Sequence, residues 1–351
     1  MSRAPDQWRY LGGAILAAAA ALVAGSADSR AAPPADNGAV VIVYHRFGDS
    51  SGRSSNIRLE QFEAHIAELV SGGYNVVPVR DIVAALGAER ALPERTIGIT
   101  IDEAVASVYT EAWPRLRAAG LPFTVFASTD PLDNRLAGYM TWDQLREMLA
   151  AGGVTVGHRG AARRHMPKRT GAANQAEIAH ASTRFRQELG AVPEIFAYPY
   201  GEYSLVVRDL VAGSGFAAAF GKQSGAVART SDRYALPRFA LSEAYGEIAR
   251  FRLVVNSLPL PVTGVIPSDP LVRPHNNPPP YGFTVAQGID RLASLNCFAG
   301  TNEITIERLG ERRIEVRLAR PLEPGRARIN CTMPGPEGRW RWLGMQFYML
   351  P

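Results

Sequence analysis

The chain reads as an α/β protein, a parallel (β/α) barrel of about seven units followed by a small antiparallel β domain. Three observations predict this. Short apolar, β-branched runs recur between residues 39 and 260, each breaking abruptly into polar residues. Segments with helical apolar spacing, stopped by glycines, lie between them. From Pro259 the texture changes to prolines and then to period-two alternation.

The first apolar run, Val40 to Tyr44, ends in Tyr44-His45-Arg46-Phe47. A helix over 59–71 follows, with Phe62, Ile66, Leu69 and Val70 at helical spacing and Gly72-Gly73 as the stop. Residues 74–78 form a short strand and 80–86 a second helix. The central run is Thr96-Ile97-Gly98-Ile99-Thr100-Ile101-Asp102-Glu103-Ala104. Its isoleucines alternate with small residues as a pleated strand requires, and two adjacent carboxylates end it. Such acids repel unless something positive holds them; the competing reading is a helix N-terminus, where acids are favoured. Helices over 105–119, 141–151, 174–189, 205–212 and 244–258 alternate with strands at 123–127, 154–156, 195–198, 217–220 and 236–239, and a loop over 157–167 precedes the 174–189 helix. Parallel strands present their carboxyl ends on one face. Asp102, Glu103, His158, Arg159, Arg163, Tyr198 and Tyr200 are therefore expected at a common mouth.

Composition bounds the function. With 351 residues, 46% hydrophobic and 20% charged, the chain can bury a large core. Its +5 net charge is spread without a Lys/Arg-rich run, which gives no sign of a nucleic-acid partner. Arg3 and Arg9 precede an apolar run from Leu11 to Val23 and then Ser29-Arg30-Ala31-Ala32, the pattern of a secretory signal peptide over 1–32. That run is shorter than the roughly 20 residues of a membrane span. Contact with a membrane is expected only through this segment, if it is left uncleaved. The mature chain is expected in the periplasm or outside the cell. Export makes a Cys297–Cys331 disulfide the expected pairing, with two buried free thiols as the alternative. The domain reading is a barrel over 33–260, a Pro-rich connector over 261–283 and a β domain over 284–351. Trp340, Trp342, Phe347 and Tyr348 are read there as packing residues rather than a sugar-stacking platform.

Four motifs carry a family resemblance. Tyr44-His45-Arg46, Thr100-Ile101-Asp102-Glu103-Ala104, the Gly157 to Met166 loop and Phe196-Ala197-Tyr198-Pro199-Tyr200-Gly201 occur in the order seen in polysaccharide deacetylases, the NodB-homology or carbohydrate esterase family 4 group. The resemblance covers about residues 39 to 260. It implies a distorted (β/α) barrel and removal of acetyl groups from the N-acetylated sugars of a polysaccharide or chitooligosaccharide. It also implies a divalent metal such as zinc that polarises the acetyl carbonyl and its water. By position, Asp102 falls on the general base, and Tyr200 with its backbone lies near the oxyanion. His45, Tyr198, Pro199, Gly201 and Arg238 fall on substrate-binding positions. Glu103 falls on a liganding Asp, and Ala104 replaces a glycine.

The two metal-binding histidines of the family pattern fall on Arg159 and Arg163, and its late Leu-x-x-His region holds Leu236-Pro237-Arg238. Guanidinium has no lone pair for a metal. Two readings stay open. His158 and His165, which flank the arginines, could turn inward and hold a metal with Asp102 or Glu103. Alternatively, Arg159 and Arg163 fill the metal position and pair with the acids, so that no metal is needed; loop arginines pointing to solvent are the bland version. The functional expectation is an exported deacetylase-family hydrolase. Its alternative is a catalytically inactive member that binds glycan or serves envelope assembly.

Overall fold

The computed structural model describes residues 38–49 and 54–350, so the expected signal peptide lies outside the described residues. Among the described residues, no helix is long and apolar enough to cross a membrane.

Seven parallel strands form a curved sheet in the order Phe239–Ala240, Ala39–Tyr44, Thr96–Asp102, Phe123–Ala127, Val154–His158, Ile195–Ala197 and Ala218–Phe220. A short strand, Asn75–Val76, also pairs with Thr96–Asp102. The segment from Leu236 to Ala240 spans the two edges of this sheet. Leu236 bridges to Phe220 at one end, and Phe239 pairs with Ile42 at the other. The strands thus curl into a distorted barrel, as the alternation of runs predicts.

Both faces of each strand are buried, which explains why the runs are nearly continuous in apolar residues. Ile97, Ile99 and Ile101 face the helical layer and pack with Phe62 and Leu69 of the Leu59–Ser71 helix and with Phe251 and Val254 of Ile248–Val255. The opposite face meets Val41, Phe126, Phe220 and Leu236, joined by Val79 and Ile82 of the Val79–Gly87 helix. Gly98 belongs to this inner face. A Cβ there would stand 2.9 Å from side-chain atoms of Val79 and Ile82, so the small residue is what lets that helix close against the strand.

The C-terminal region departs in detail from the sequence reading. The Pro-rich stretch contains three paired strands, Val262–Ile266, Leu271–Val272 and Tyr281–Val285. Two sheets result. One runs Val262–Ile266, Tyr281–Val285, Arg313–Leu318, Ile304–Leu309 and is antiparallel. The other centres on the long hairpin of Gly325–Pro334 and Trp340–Met349, to which Leu258–Pro259 and Leu271–Val272 add parallel to its second arm. The four aromatics of residues 340–348 belong to that arm. Phe347 is in the core, and Trp342 meets the barrel residue Phe239 edge-on at 5.1 Å. The arm also closes over the barrel mouth: the Gln346 side-chain amide donates to the carbonyls of Tyr200 at 3.2 Å and Gly201 at 2.9 Å. The described residues accordingly fall within one compact unit.

Cys297 and Cys331 lie directly opposite each other on paired strands and are joined by a disulfide. With 34 residues separating them, the chain-entropy model assigns the bond roughly 3 to 4 kcal/mol. Replacing both by serine is expected to lower the urea midpoint of unfolding by a corresponding amount. An unchanged midpoint would show that the β sheets hold these strands without it.

Candidate functional site

The pleat of the Thr96–Asp102 strand sends Thr100 and Asp102 inward, on the same side as Gly98. At its end the backbone turns at Glu103, which adopts φ 71°, a left-handed conformation in a non-glycine residue. Such a conformation costs on the order of 1–3 kcal/mol. The Glu103 N–H is held by the Phe126 carbonyl at 2.9 Å. The turn brings the second carboxylate in beside the first, and both residues are fully buried. The acid pair ends a strand and does not start a helix.

Four cations meet this pair. Arg159 follows the Val154–His158 strand directly and reaches both acids, with Nη1 3.0 Å from Asp102 Oδ2 and Nε 2.7 Å from Glu103 Oε1. Arg163 adds Nε at 3.2 Å from the same Glu103 oxygen. Arg238, on the edge-spanning segment, places Nη1 2.8 Å from Asp102 Oδ1 and donates through Nε to the Gly221 carbonyl at 2.9 Å. Its guanidinium lies over the rings of Phe126 and Phe220 inside the barrel. Lys222, just beyond the Ala218–Phe220 strand, sets Nζ 2.8 Å from Asp102 Oδ2. Arg159 and Arg238 are as buried as the acids, whereas the Lys222 and Arg163 side chains retain 15% and 33% exposure.

The electrostatics follow from that geometry. Burial by itself raises the Asp102 carboxyl, but Arg159, Arg238 and Lys222 outweigh it and hold the group well below the usual carboxylate range. Burial pushes Lys222 down to about 8, opposed by Asp102 and reinforced by Arg159 and Arg238. His45 looks into the same cluster. Burial, then Lys222, holds its imidazole well below the ordinary value against the pull of Asp102, and its Nδ1 has no hydrogen-bond partner. Two acids face four cations, so the mouth carries an excess of positive charge.

These residues do not fit a metal centre. Glu103 Oε2 is buried without a hydrogen-bond partner but belongs to no group of three carboxylate or histidine ligands among the described residues, and Oε1 is faced by two guanidinium groups. Neither can donate an electron pair, and a bound zinc ion would need ligand atoms at about 2.0–2.3 Å in their place. The histidine alternative fails as well. Strand alternation turns His158 away from Arg159, into a pocket of Phe185, Phe196 and Phe216. There Nδ1 accepts from the Gly160 N–H at 3.1 Å, Nε2 lies 3.2 Å from Ser182 Oγ, and burial pushes the ring down to about 3. His165 points its Nδ1 at Glu202, 2.6 Å away. Neither converges with Asp102 or Glu103. Among the described residues, the carboxylate and histidine groups close enough to share an ion are Asp130, Asp133 and His180, where Arg184 and Trp142 already hold Asp133.

The Tyr-Pro-Tyr-Gly turn forms one wall. Tyr198 is buried and donates to the Tyr234 carbonyl, while Pro199 and Gly201 are buried beside it. Those three residues and Arg238 line the structure from within, so direct contact with a ligand is left to more exposed neighbours. Tyr200 takes the left-handed conformation at φ 60° and donates through its hydroxyl to the Arg163 carbonyl at 3.2 Å. Lys222 and Glu202 escaped the sequence reading. Lys222 was findable, since Ala217 to Phe220 breaks into Gly221-Lys222-Gln223 as the other runs do. Glu202, one residue past a motif, gave no signal of its own.

Comparison with known proteins agrees with this architecture. Residues 89–219 match the family model for polysaccharide deacetylase. A putative polysaccharide deacetylase of Bacillus subtilis, YxkH, is 25% identical over 202 residues, covering 58% of this chain and 71% of that protein. The poly-beta-1,6-N-acetyl-D-glucosamine N-deacetylase of Escherichia coli is 28% identical over 128 residues, 32% of this chain but 19% of that longer protein. Among solved structures, the Streptococcus pyogenes deacetylase PplD superposes with a TM-score of 0.58 at 15% identity, covering 63% of this chain and 99% of that one. IcaB from Ammonifex degensii gives 0.54 at 24% identity, covering 61% and 96%. The barrel, the motif order and the matched segment agree: residues 89–219 are similar to the polysaccharide deacetylase domain.

Proposed function

We propose that this protein is an exported, non-hydrolytic member of its family that holds a polysaccharide at the barrel mouth. The observation that carries the reading is the saturation of Asp102. Both of its oxygens are ion-paired with cations, three in all, and the carboxyl is held well below its usual range. A general base needs a free lone pair within reach of the proton it takes and a basicity near the working pH; Asp102 has neither. The competing reading, an active deacetylase with Asp102 as base and Tyr200 near the oxyanion, requires a metal or another electrophile that the cluster of arginines displaces. Export belongs to the same proposal. It rests on the charged and apolar pattern of residues 3–32 and on a disulfide that suits an oxidising compartment. A glycan as ligand is supported by the name of the Escherichia coli relative, an N-deacetylase of poly-beta-1,6-N-acetyl-D-glucosamine, and by a mouth that keeps Lys222, Arg163 and His45 partly open.

Acetate release from N-acetylated chitooligosaccharides, measured with and without added zinc, cobalt or nickel, is expected to stay at the blank level for the wild-type chain. Release that Asp102→Asn abolishes would overturn the reading. Restoring the family pattern with Glu103→Asp, Arg159→His and Arg163→His is expected to introduce metal-dependent release, if only at low turnover.

The depressed Lys222 gives a second, independent check. Unfolded, this lysine titrates near 10.5, and folded near 8. Between those values the unfolded chain binds more protons, so the contribution of this group to stability rises with pH across that window. The unfolding free energy of wild type relative to Lys222→Met is therefore expected to grow from pH 8 to 10.5. A difference that stays flat would mean that Lys222 is not held among the cations as described.

A further inference from the structure

Beside the mouth lies a cavity of about 430 Å³, lined by His165, Lys168, Glu202, Pro324, Gly325, Arg326 and Tyr348. Its volume falls within the roughly 300–1,000 Å³ range of small-ligand sites. It sits where the 157–169 loop and the Tyr-Pro-Tyr-Gly turn meet the C-terminal hairpin, so neither half of the chain makes it alone. Resting on the glycan-holding reading above, we infer that this seam is a second subsite, selective for a sugar that carries a carboxylate.

The argument begins with Glu202, a carboxylate only 2% exposed. It holds the two sides of the cavity together. One oxygen lies 2.6 Å from His165 Nδ1 and the other 3.6 Å from Arg326 Nε. The His165 ring is thereby tethered through Nδ1, which leaves Nε2 as its second polar atom. The side chain keeps 43% exposure, so the ring edge can hydrogen-bond a sugar hydroxyl. Glu202 is thus a positioning residue set beside one imidazole and one cation from different parts of the chain.

The aromatic faces nearby are already occupied. The guanidinium groups of Arg163 and Arg326 lie over the Tyr200 ring at 5.3 and 5.6 Å, and the ring stacks on His165 at 4.4 Å. Lys168 stands over Tyr348 at 5.9 Å, and Tyr348 is 3% exposed. Sugar stacking therefore contributes little here, and recognition falls to charge. Arg326 and Lys168 are exposed cations on opposite walls, and Glu202 neutralises one of them. One positive charge is left for the ligand. Arg163 lies over the same Tyr200 ring and reaches Glu103, so the seam adjoins the positive mouth. Arg326 has the fork geometry that matches a carboxylate with two parallel hydrogen bonds. A uronic acid residue satisfies both features, a carboxylate for Arg326 and Lys168 and a hydroxyl for His165.

The test is calorimetric titration of the full chain with oligogalacturonate, with its methyl ester, which keeps the rings and removes the charge, and with N-acetylated chitooligosaccharide. Oligogalacturonate is expected to bind at least tenfold more tightly than its ester. Arg326→Gln is expected to erase that preference, and Arg326→Lys to restore part of it. Glu202→Gln is expected to weaken binding with Arg326 intact, and a circular dichroism melt of each variant separates misfolding from lost recognition. If chitooligosaccharide binds while acid and ester bind equally, or if Arg326→Gln leaves the preference intact, the carboxylate subsite is wrong and the glycan-holding reading survives. If none of the three binds, both fall.

Discussion

The structure depends on how one buried carboxylate is neutralised. Asp102 is fully buried, and its charge persists because Arg159, Arg238 and Lys222 converge on it from three separate segments. In a low-dielectric interior an unpaired carboxylate would take up a proton. A buried ion pair contributes little net stability against its desolvation cost, yet removing one partner is strongly destabilising. The contacts therefore specify geometry more than they add stability. Arg238 reaches Asp102 only if the Leu236–Ala240 segment spans the sheet edges, so the same contact marks the barrel's closure.

On the proposed reading, the cluster is a metal-type site that has changed without collapsing. A divalent ion holds two adjacent acids by charge and by directional bonds. Guanidinium groups supply the charge and part of the directionality: Arg159 hydrogen-bonds Glu103 and ion-pairs with Asp102, and Arg163 adds its charge beside the same Glu103 oxygen. What is lost is the electrophile. Guanidinium is a fixed, weakly acidic donor that neither ionises water nor leaves an open coordination position. What is gained is a permanent positive excess, spread over Lys222 and Arg163 toward solvent, which suits holding an anionic ligand.

Much of this was legible in the sequence because strand alternation is rigid. Thr96 to Asp102 declares which residues face helices and which face the interior, and the breaks after each run locate the mouth. The same alternation, applied to Val154–His158, would have sent His158 and Arg159 to opposite sides and removed His158 from any ligand set. The C-terminal region was harder. Its prolines read as a connector, but short edge strands tolerate proline where no ladder donor is needed, and pairing across tens of residues leaves no local trace. Glu202 was invisible for a related reason, since its partners come from a loop 37 residues earlier and a hairpin far downstream.

The central claim is that arginine side chains occupy the position of the family's metal. Its most direct test is elemental analysis of the purified full chain by mass spectrometry after incubation with excess zinc and exhaustive desalting, alongside the Glu103→Asp, Arg159→His, Arg163→His variant. The account predicts far less than one zinc per chain for the wild type and close to one for the variant. One zinc per wild-type chain, lost on Asp102→Asn, would contradict it.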